Sequence, residues 1–480
     1  MFNMALARIK FLDKNEEDII HAQSLRCLKE VGMLVHSPKV RKILKDAGAD
    51  VDERTEVVKF PETLVMESIK KTPKSFTLYS RDKKHDMQLP VDGIPFVGTT
   101  GLSIYMTDLD TGATRTATVK DVGDFAKLGD ALDQVDFVWS TIIPRDVPEE
   151  SHTAFEVWHS LINTGKHHQQ IECRNEEDAR MQIKLGALLS GGTEELRKKP
   201  MFSVLVSPDS PLVMRKDAME AQVELAKAGI PIICMTMPLA GITGPVTMAG
   251  FLTLINSENL GSLVVTQLSN PGNPHIYGSD GVPGDMNTGD VGYEAPDVPA
   301  IFAGLGQMAK RYGIPSIVGD WGLCGDETPG IGRSFSEMSS TALDTFSGTD
   351  LTSGIGSTAA AKGVSFEQMV IDNYMWRNWK GYLRRVEITE EKAALDVMKA
   401  VGHGNTFLTN SHTVRNFKKE LFFRDKSHRN WEATLSKGMV PEAREIAKKL
   451  LKEHRPLPVD NSILKEGDRL LKDYVKRFAC

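Results

Sequence analysis

The chain predicts an α/β fold: a (β/α)8 TIM barrel with an N-terminal helical/β prefix and a C-terminal helical subdomain. Three observations carry this. Eight short apolar runs alternate with segments of helical spacing. The 480 residues are too many for one small core, and 41% hydrophobic with 25% charged residues is a globular balance. Within Ile230–Gly250, IPIICMTMPLAGITGPVTMAG, an apolar run breaks into small residues and prolines and then restarts as a helix, as at a strand-to-helix turn.

The elements follow in order. Residues 1–90 carry amphipathic helix signals (Glu16–Val31, Ser37–Ala47, Pro61–Lys71) and a short β segment, SFTLYSRDKKHDMQL, which read as a separate cap. The barrel is expected over 91–386. Its strands are IPFVG, VDFVWSTIIP, HHQQIEC, MFSVLVSP, IPIICMTMP, PHIYGSD, IPSIVGDWG and TDLTSGIGS. Between them helices are expected at Val119–Leu132, Ser151–Asn163, Glu176–Leu189, Met214–Ala228, Val246–Leu268, Asp297–Tyr312 and Ser334–Phe346. An insert after the first strand, TTGLSIYMTDLDTGATRTA, alternates around Asp110-Thr-Gly112 and predicts a β-hairpin over the barrel mouth. Phe366–Arg384 reads as an apolar-aromatic helix, and 387–480 as a charged helical subdomain suited to docking or dimerisation.

Composition excludes several classes. A net charge of −6 without a basic tract argues against nucleic acid or an anionic membrane as partner. The N-terminus lacks a signal-peptide core and Val246–Leu268 is interrupted by Asn256, Ser257, Glu258 and Asn259, so a cytoplasmic protein without a membrane span is expected. The five cysteines (Cys27, Cys173, Cys234, Cys324, Cys480) form no CxxC pair, so neither a disulfide framework nor a metal site is expected. A homo-oligomer is.

In a barrel, chemistry gathers at the carboxyl ends of the strands. There the chain offers small and hydroxyl residues, aromatic rings (Tyr277, Trp321, Trp139, Tyr105) and single carboxylates (Glu172, Asp320, Asp280). No GxSxG, HExxH, Walker loop or dinucleotide fingerprint is present. His167 and His168 open a strand, at the end where barrels place structural residues. Rings beside carboxylates suit a quaternary ammonium, a cation that donates no strong hydrogen bond; rings that simply plug the barrel are the plainer alternative.

Several motifs carry a resemblance. GPVTMAGFLTLINSENLGSLVVTQLSNPGNPHIYGS, GVPGDMNTGDVGYEAPDVPA, SFEQMVIDN and VGHGNTFLTNSHTVRNF occur in order, and over roughly residues 10–430 the chain resembles the trimethylamine methyltransferase family of corrinoid-dependent enzymes. The resemblance implies that a methyl group passes to the cobalt of a cobalamin carried by a separate corrinoid protein, and the Gly-rich mouth would then admit the corrinoid ring. Family members acting on trimethylamine carry pyrrolysine in the loop after the seventh strand. Here that loop, GDWGLCGDETPGIGRSF, holds only ordinary residues, with Leu323–Asp326 at the corresponding place. A member without pyrrolysine resembles the glycine betaine enzymes. A quaternary amine also leaves as a neutral tertiary amine without needing an acid.

The expected function is therefore methyl transfer from a quaternary amine to Co(I), with glycine betaine foremost and proline betaine, carnitine or γ-butyrobetaine as alternatives. A betaine sensor and a corrinoid-independent lyase are the readings from other classes. The expected roles are catalysis for Asp320 and Glu172, and substrate binding for Tyr277, Trp321, Tyr105, His275 and Arg333. Gly98, Thr99, Gly101, Ser207, Gly241, Thr243, Gly278 and Gly354 are expected to face the corrinoid.

Overall fold

The computed structural model describes residues 4–5, 8–101, 103–293, 295–320, 328–330, 345–359, 361–428, 431 and 438–478. Its centre is a closed ring of eight parallel strands. These are β1 (Phe96–Thr99), β2 (Phe137–Trp139), β3 (His167–Gln170), β4 (Phe202–Leu205), β5 (Ile232–Thr236), β6 (His275–Ser279), β7 (Ser316–Asp320) and β8 (Leu351–Ile355). β8 closes onto β1 through Leu351 opposite Phe96. Seven strands lie within the apolar runs read from the sequence and β1 overruns its run by one residue, Thr99, so the barrel stands as expected.

Helices alternate with the strands: α1 (Val119–Ala131), α2 (His152–Asn163), α3 (Glu176–Ser190), α4 (Lys216–Lys227), α5 (Met248–Ser269), α6 (Val298–Tyr312) and α7 (Phe366–Trp379). Their ends follow local chemistry. Thr118 and Asp121 form a capping box at the start of α1. Asn175 accepts from the amides of Glu177 and Asp178 at the start of α3. Gly313, at φ 63°, takes the left-handed conformation that ends α6. Most of the helix expected at Ser334–Phe346 lies outside the described residues.

Side-chain direction follows the two-residue period of the strands. Phe137, Trp139, Ile233, Met235, Ile276, Ile317 and Leu351 point into the barrel and pack with Leu78, Met87 and Leu89. Those last three come from the hairpin Phe76–Leu78/Met87–Leu89, which plugs the amino-terminal end of the barrel. The prefix is thus built into the barrel rather than set apart. Its helices share one core with α4, α5 and α6, and its strand Met33–Val35 pairs with Val213–Met214 from the loop after β4.

The expected hairpin after β1 is present, with Met106 opposite Arg115 and Thr107 opposite Thr114, turning at Gly112 with φ 73°. It joins Gly363–Val364, beyond β8, in one small sheet, and Asp110 at its tip pairs with Lys448 at 2.8 Å. The C-terminal helices wrap back over the barrel: Met439–Glu453 packs against α7, and Asn461–Val475 against α2 and α3 around Trp158. No helix among the described residues is long and apolar enough to cross a membrane.

Candidate active site

At the carboxyl ends of β3, β4 and β5 lies a cavity of about 910 Å³. Its apolar wall is Ile171, Leu205, Met235 and Met237, and its polar wall includes Glu172, Ser207, Asp209 and Thr243. The loop that leaves β4 is fixed from behind by Glu258 of α5. That carboxyl lies 2.9 Å from the Leu212 amide and 2.8 Å from the Ser210 hydroxyl. Burial raises its pKa to about 7, against those two hydrogen bonds. Asp209 pairs with Arg215 at 2.7 Å, so it is already partnered at the rim. Glu172 is 43% exposed at its side chain and stands 3.9 Å from His152 Nε2.

A buried chain of polar groups supports Glu172 from below. His152 Nδ1 lies 2.6 Å from Glu156 Oε1, and Gln170 Nε2 donates to Glu156 Oε2 at 3.0 Å. Burial works against the His152 imidazolium, but the adjoining carboxylate outweighs it and the pKa rises. Burial likewise raises the Glu156 carboxyl, opposed by His152.

One step deeper, two inward-facing residues sit side by side. Gln169 pairs in register with Trp139, on the same face of adjacent strands. Gln169 is fully buried, and among the described residues neither its amide oxygen nor its nitrogen has a hydrogen-bond partner; the Trp139 Nε1–H has none there either. Its neighbour His167, by contrast, lies 3.0 Å from Ser203 Oγ and 2.6 Å from the Tyr79 carbonyl. An unpartnered buried polar group costs about 1–3 kcal/mol. Two such groups stand side by side in the barrel throat. A Cβ on Gly101 would stand 3.0 Å from Trp139 Nε1 and 3.1 Å from Ile171 Cδ1, so the missing side chain there leaves room at the mouth.

The expected site residues divide. Glu172, Ser207 and Thr243 line the cavity, and Gly101 borders the Trp139 ring. Tyr277 is a correction: it faces the helix layer, buried, with its hydroxyl donating to Asn256 Oδ1 at 3.1 Å. His275 is another, since it begins β6 and its Nδ1 lies 3.0 Å from Thr266 Oγ1 of α5. Burial lowers its pKa to about 3, so the ring is neutral and cannot hold a carboxylate by charge. Thr99 also faces outward, its methyl beside Gly129 of α1.

Gly98 and Gly278 serve packing instead of a cofactor. A Cβ on Gly98 would meet the Phe137 ring at 2.3 Å, and one on Gly278 the Cys234 carbonyl at 2.9 Å. Gly354, at φ 109°, sits in an irregularity of the β8–β1 pairing. Tyr105 is 47% exposed in the hairpin strand. Gly241, at φ 87°, lies in a turn whose amides are spent internally, because the Leu239 carbonyl accepts from Ile242, Thr243 and Gly244. Those amides are therefore not open to a ligand.

Asp320 ends β7 with its side chain outside the described residues, as are Trp321, Leu323, Cys324 and Arg333. His167 and His168 are structural as expected, buried at the start of β3 with pKa values lowered by burial to about 3 and about 4. Cys234 is a buried thiol pushed up to about 12. Gln169 escaped the sequence reading. The signal was HHQQ itself, four polar residues in a run that a barrel buries on both faces.

The comparisons agree with the barrel. The family model described as trimethylamine methyltransferase (MTTB) matches residues 2–479. Trimethylamine methyltransferase MttB of Desulfitobacterium hafniense (strain DCB-2) is 31% identical over 92% of this chain and 90% of its own length. The MttB of Methanosarcina barkeri (strain Fusaro) is 31% identical over 97% and 95%. A glycine betaine methyltransferase of D. hafniense (strain Y51) is 27% identical over 90% and 89%. The crystal structure of the hydroxylamine MtmB complex shares the fold, with a TM-score of 0.50 at 14% identity over 92% of this chain and 94% of that one. A match running from residue 2 to residue 479, on a barrel with its cavity at the carboxyl end, makes the chain a member of the trimethylamine methyltransferase family, a methyltransferase of the corrinoid-dependent methylamine type.

Proposed function

We propose that the substrate is a quaternary amine with a hydrogen-bond-accepting tail, glycine betaine foremost, and that the methyl acceptor is the corrinoid of a small partner protein. The observation that carries this is the unpartnered pair Trp139 Nε1–H and Gln169 beneath an apolar, thioether-lined cavity. A carboxylate tail accepts from the two N–H groups, and the trimethylammonium head then lies toward the mouth. Glu172 at the rim and the Trp139 ring attract the cation. The glycine betaine relative supports the substrate class, and so does the run of ordinary residues in Gly319–Phe335. Identity does not choose between substrates, at 31% for trimethylamine relatives against 27% for the betaine one. The chemistry of a quaternary amine suits the site: it departs neutral, so the site needs to hold, orient and dry the cation and no acid is required.

A corrinoid suits this end of the barrel. Gly101 leaves space at the mouth, with Ser207 and Thr243 on the cavity wall to face the ring. Met237, Ile242, Val246, Met286 and Val291 are exposed around the loops after β5 and β6, an apolar rim for the partner protein. When bound, the Co(I) corrinoid supplies the nucleophile that accepts the methyl group.

The test is anaerobic: purified protein with cob(I)alamin, followed by Co(I) absorbance with glycine betaine, tetramethylammonium, choline and trimethylamine in turn. Loss of Co(I) is expected with glycine betaine, and more slowly with tetramethylammonium, which keeps the head and lacks the tail. Turnover of trimethylamine alone would overturn the reading.

A further inference from the structure

We propose that His152 is a positioning residue: the proton on its Nε2 decides whether Glu172 stands at the mouth or is drawn down to the imidazole. This rests on the reading of Glu172 as the group that attracts the substrate cation. His152 is the first residue of α2, and its side chain is buried. A helix N-terminus is the wrong end for a cation, because the helix dipole is positive there. One turn on, Glu156 makes the charge tolerable, with Oε1 2.6 Å from His152 Nδ1. The other oxygen of Glu156 accepts from Gln170 Nε2 at 3.0 Å. Gln170 Oε1 accepts in turn from the Ser140 hydroxyl and stands 3.0 Å from His168 Nε2. The rear of the imidazole is thus fixed, with Nδ1–H toward Glu156, and Nε2 is the nitrogen left to change its state.

Two groups from the loop after β3 face Nε2, and they select opposite states. Arg174 Nη1 stands 3.4 Å away and can only donate, so it engages Nε2 as an unprotonated acceptor. Glu172 Oε2 stands 3.9 Å away and, ionised, can only accept, so it engages Nε2 once that nitrogen carries a proton. At 3.9 Å the second contact is a gap and not a hydrogen bond, and a turn of the half-exposed Glu172 side chain closes it. The charged groups around the ring are Glu156 on α2 itself, Glu149 ahead of α2, Glu172 and Arg174 after β3, and Asp178 of α3. Burial and Arg174 oppose the imidazolium while Glu156 and Glu172 favour it, and the balance lies above the ordinary histidine value of 6.5. A substrate cation at Glu172 and a proton at Nε2 compete for the same carboxylate, so each weakens the other by the same factor. As the cation enters, Nε2 gives up its proton to solvent and accepts from Arg174 again.

Two measurements on the full chain test this. In the protein without substrate, NMR titration of wild type and Glu172→Gln is expected to show one of the 12 histidines titrating at lower pH in the variant; identical titrations would overturn the inference. Calorimetry with glycine betaine in two buffers of different ionisation heat is expected to show proton release near neutral pH. The affinity is expected to be about fivefold or more lower at pH 6 than at pH 9. His152→Gln, which keeps an N–H for Glu156 and takes up no proton, is expected to remove both effects. Binding to wild type that releases no proton and ignores pH would overturn the inference, whether or not that variant folds. Coupled titration in a chain that does not bind glycine betaine would instead count against the proposed substrate and leave the positioning of Glu172 standing.

Discussion

A side chain's direction on its strand decides whether it meets substrate. Ile276 points into the barrel and Tyr277, the next residue, points out to Asn256 of α5. Tyr277→Phe is therefore expected to cost about 1 kcal/mol of stability through the lost hydrogen bond, seen in thermal unfolding, with kcat/KM unchanged; a large fall in kcat/KM would return Tyr277 to the site. Gln169→Leu should do the reverse. Removing the amide N–H that reads the tail is expected to raise KM for glycine betaine by about tenfold or more, equivalent to 1.4 kcal/mol or above, while leaving tetramethylammonium turnover near wild type. An equal loss on both substrates would mean that Gln169 only holds the barrel together. The sequence marks the strand that carries Tyr277 but not the face it takes, because strands buried on both sides show no alternation from which direction can be read. Glu172 was legible for the opposite reason: it lies just past a strand end, where the cavity opens.

Helices and strands were legible where local chemistry is strong. The observed α1, α2 and α3 end within about two residues of their expected limits, since caps and amphipathic spacing mark them. The barrel plug was not legible, because SFTLYSRDKKHDMQL mixes charge with apolar residues and only tertiary contact reveals that Leu78, Met87 and Leu89 enter the barrel. α5 has its own signature. Glu258 on this helix is buried with a pKa near 7, above the usual carboxylate value. A group of that kind contributes its stability fully below the unfolded value of 4.5 and loses it as pH rises through about 7. Stability is thus expected to fall across that window, by at most about 1.4 kcal/mol per pH unit from this group. Glu258→Gln should flatten that part of the thermal-unfolding profile; an identical pH slope in the variant would show that Glu258 is ionised in the fold.

The two ends of the whole molecule carry different surfaces. At the amino-terminal end the hairpin plug closes the barrel and Arg385, beyond α7, bonds the carbonyl of Asp92. At the carboxyl end the cavity opens among loops whose exposed apolar residues include Val246, at 79%, and Met286, at 72%. Neither lies on the cavity wall with Ile171 and Met235, so a partner protein can cover them without touching the substrate. Burying a new, unpaired carboxylate in such a contact costs several kcal/mol. Val246→Asp/Met286→Asp is accordingly expected to raise KM for the corrinoid protein by tenfold or more, about 1.4 kcal/mol or above. The rate with excess cob(I)alamin in solution should stay near wild type, since a small corrinoid needs only the open mouth. Ionic strength separates this from long-range steering: an apolar contact gives a KM that salt changes little, whereas a steep salt dependence would assign docking to charged residues elsewhere on the rim.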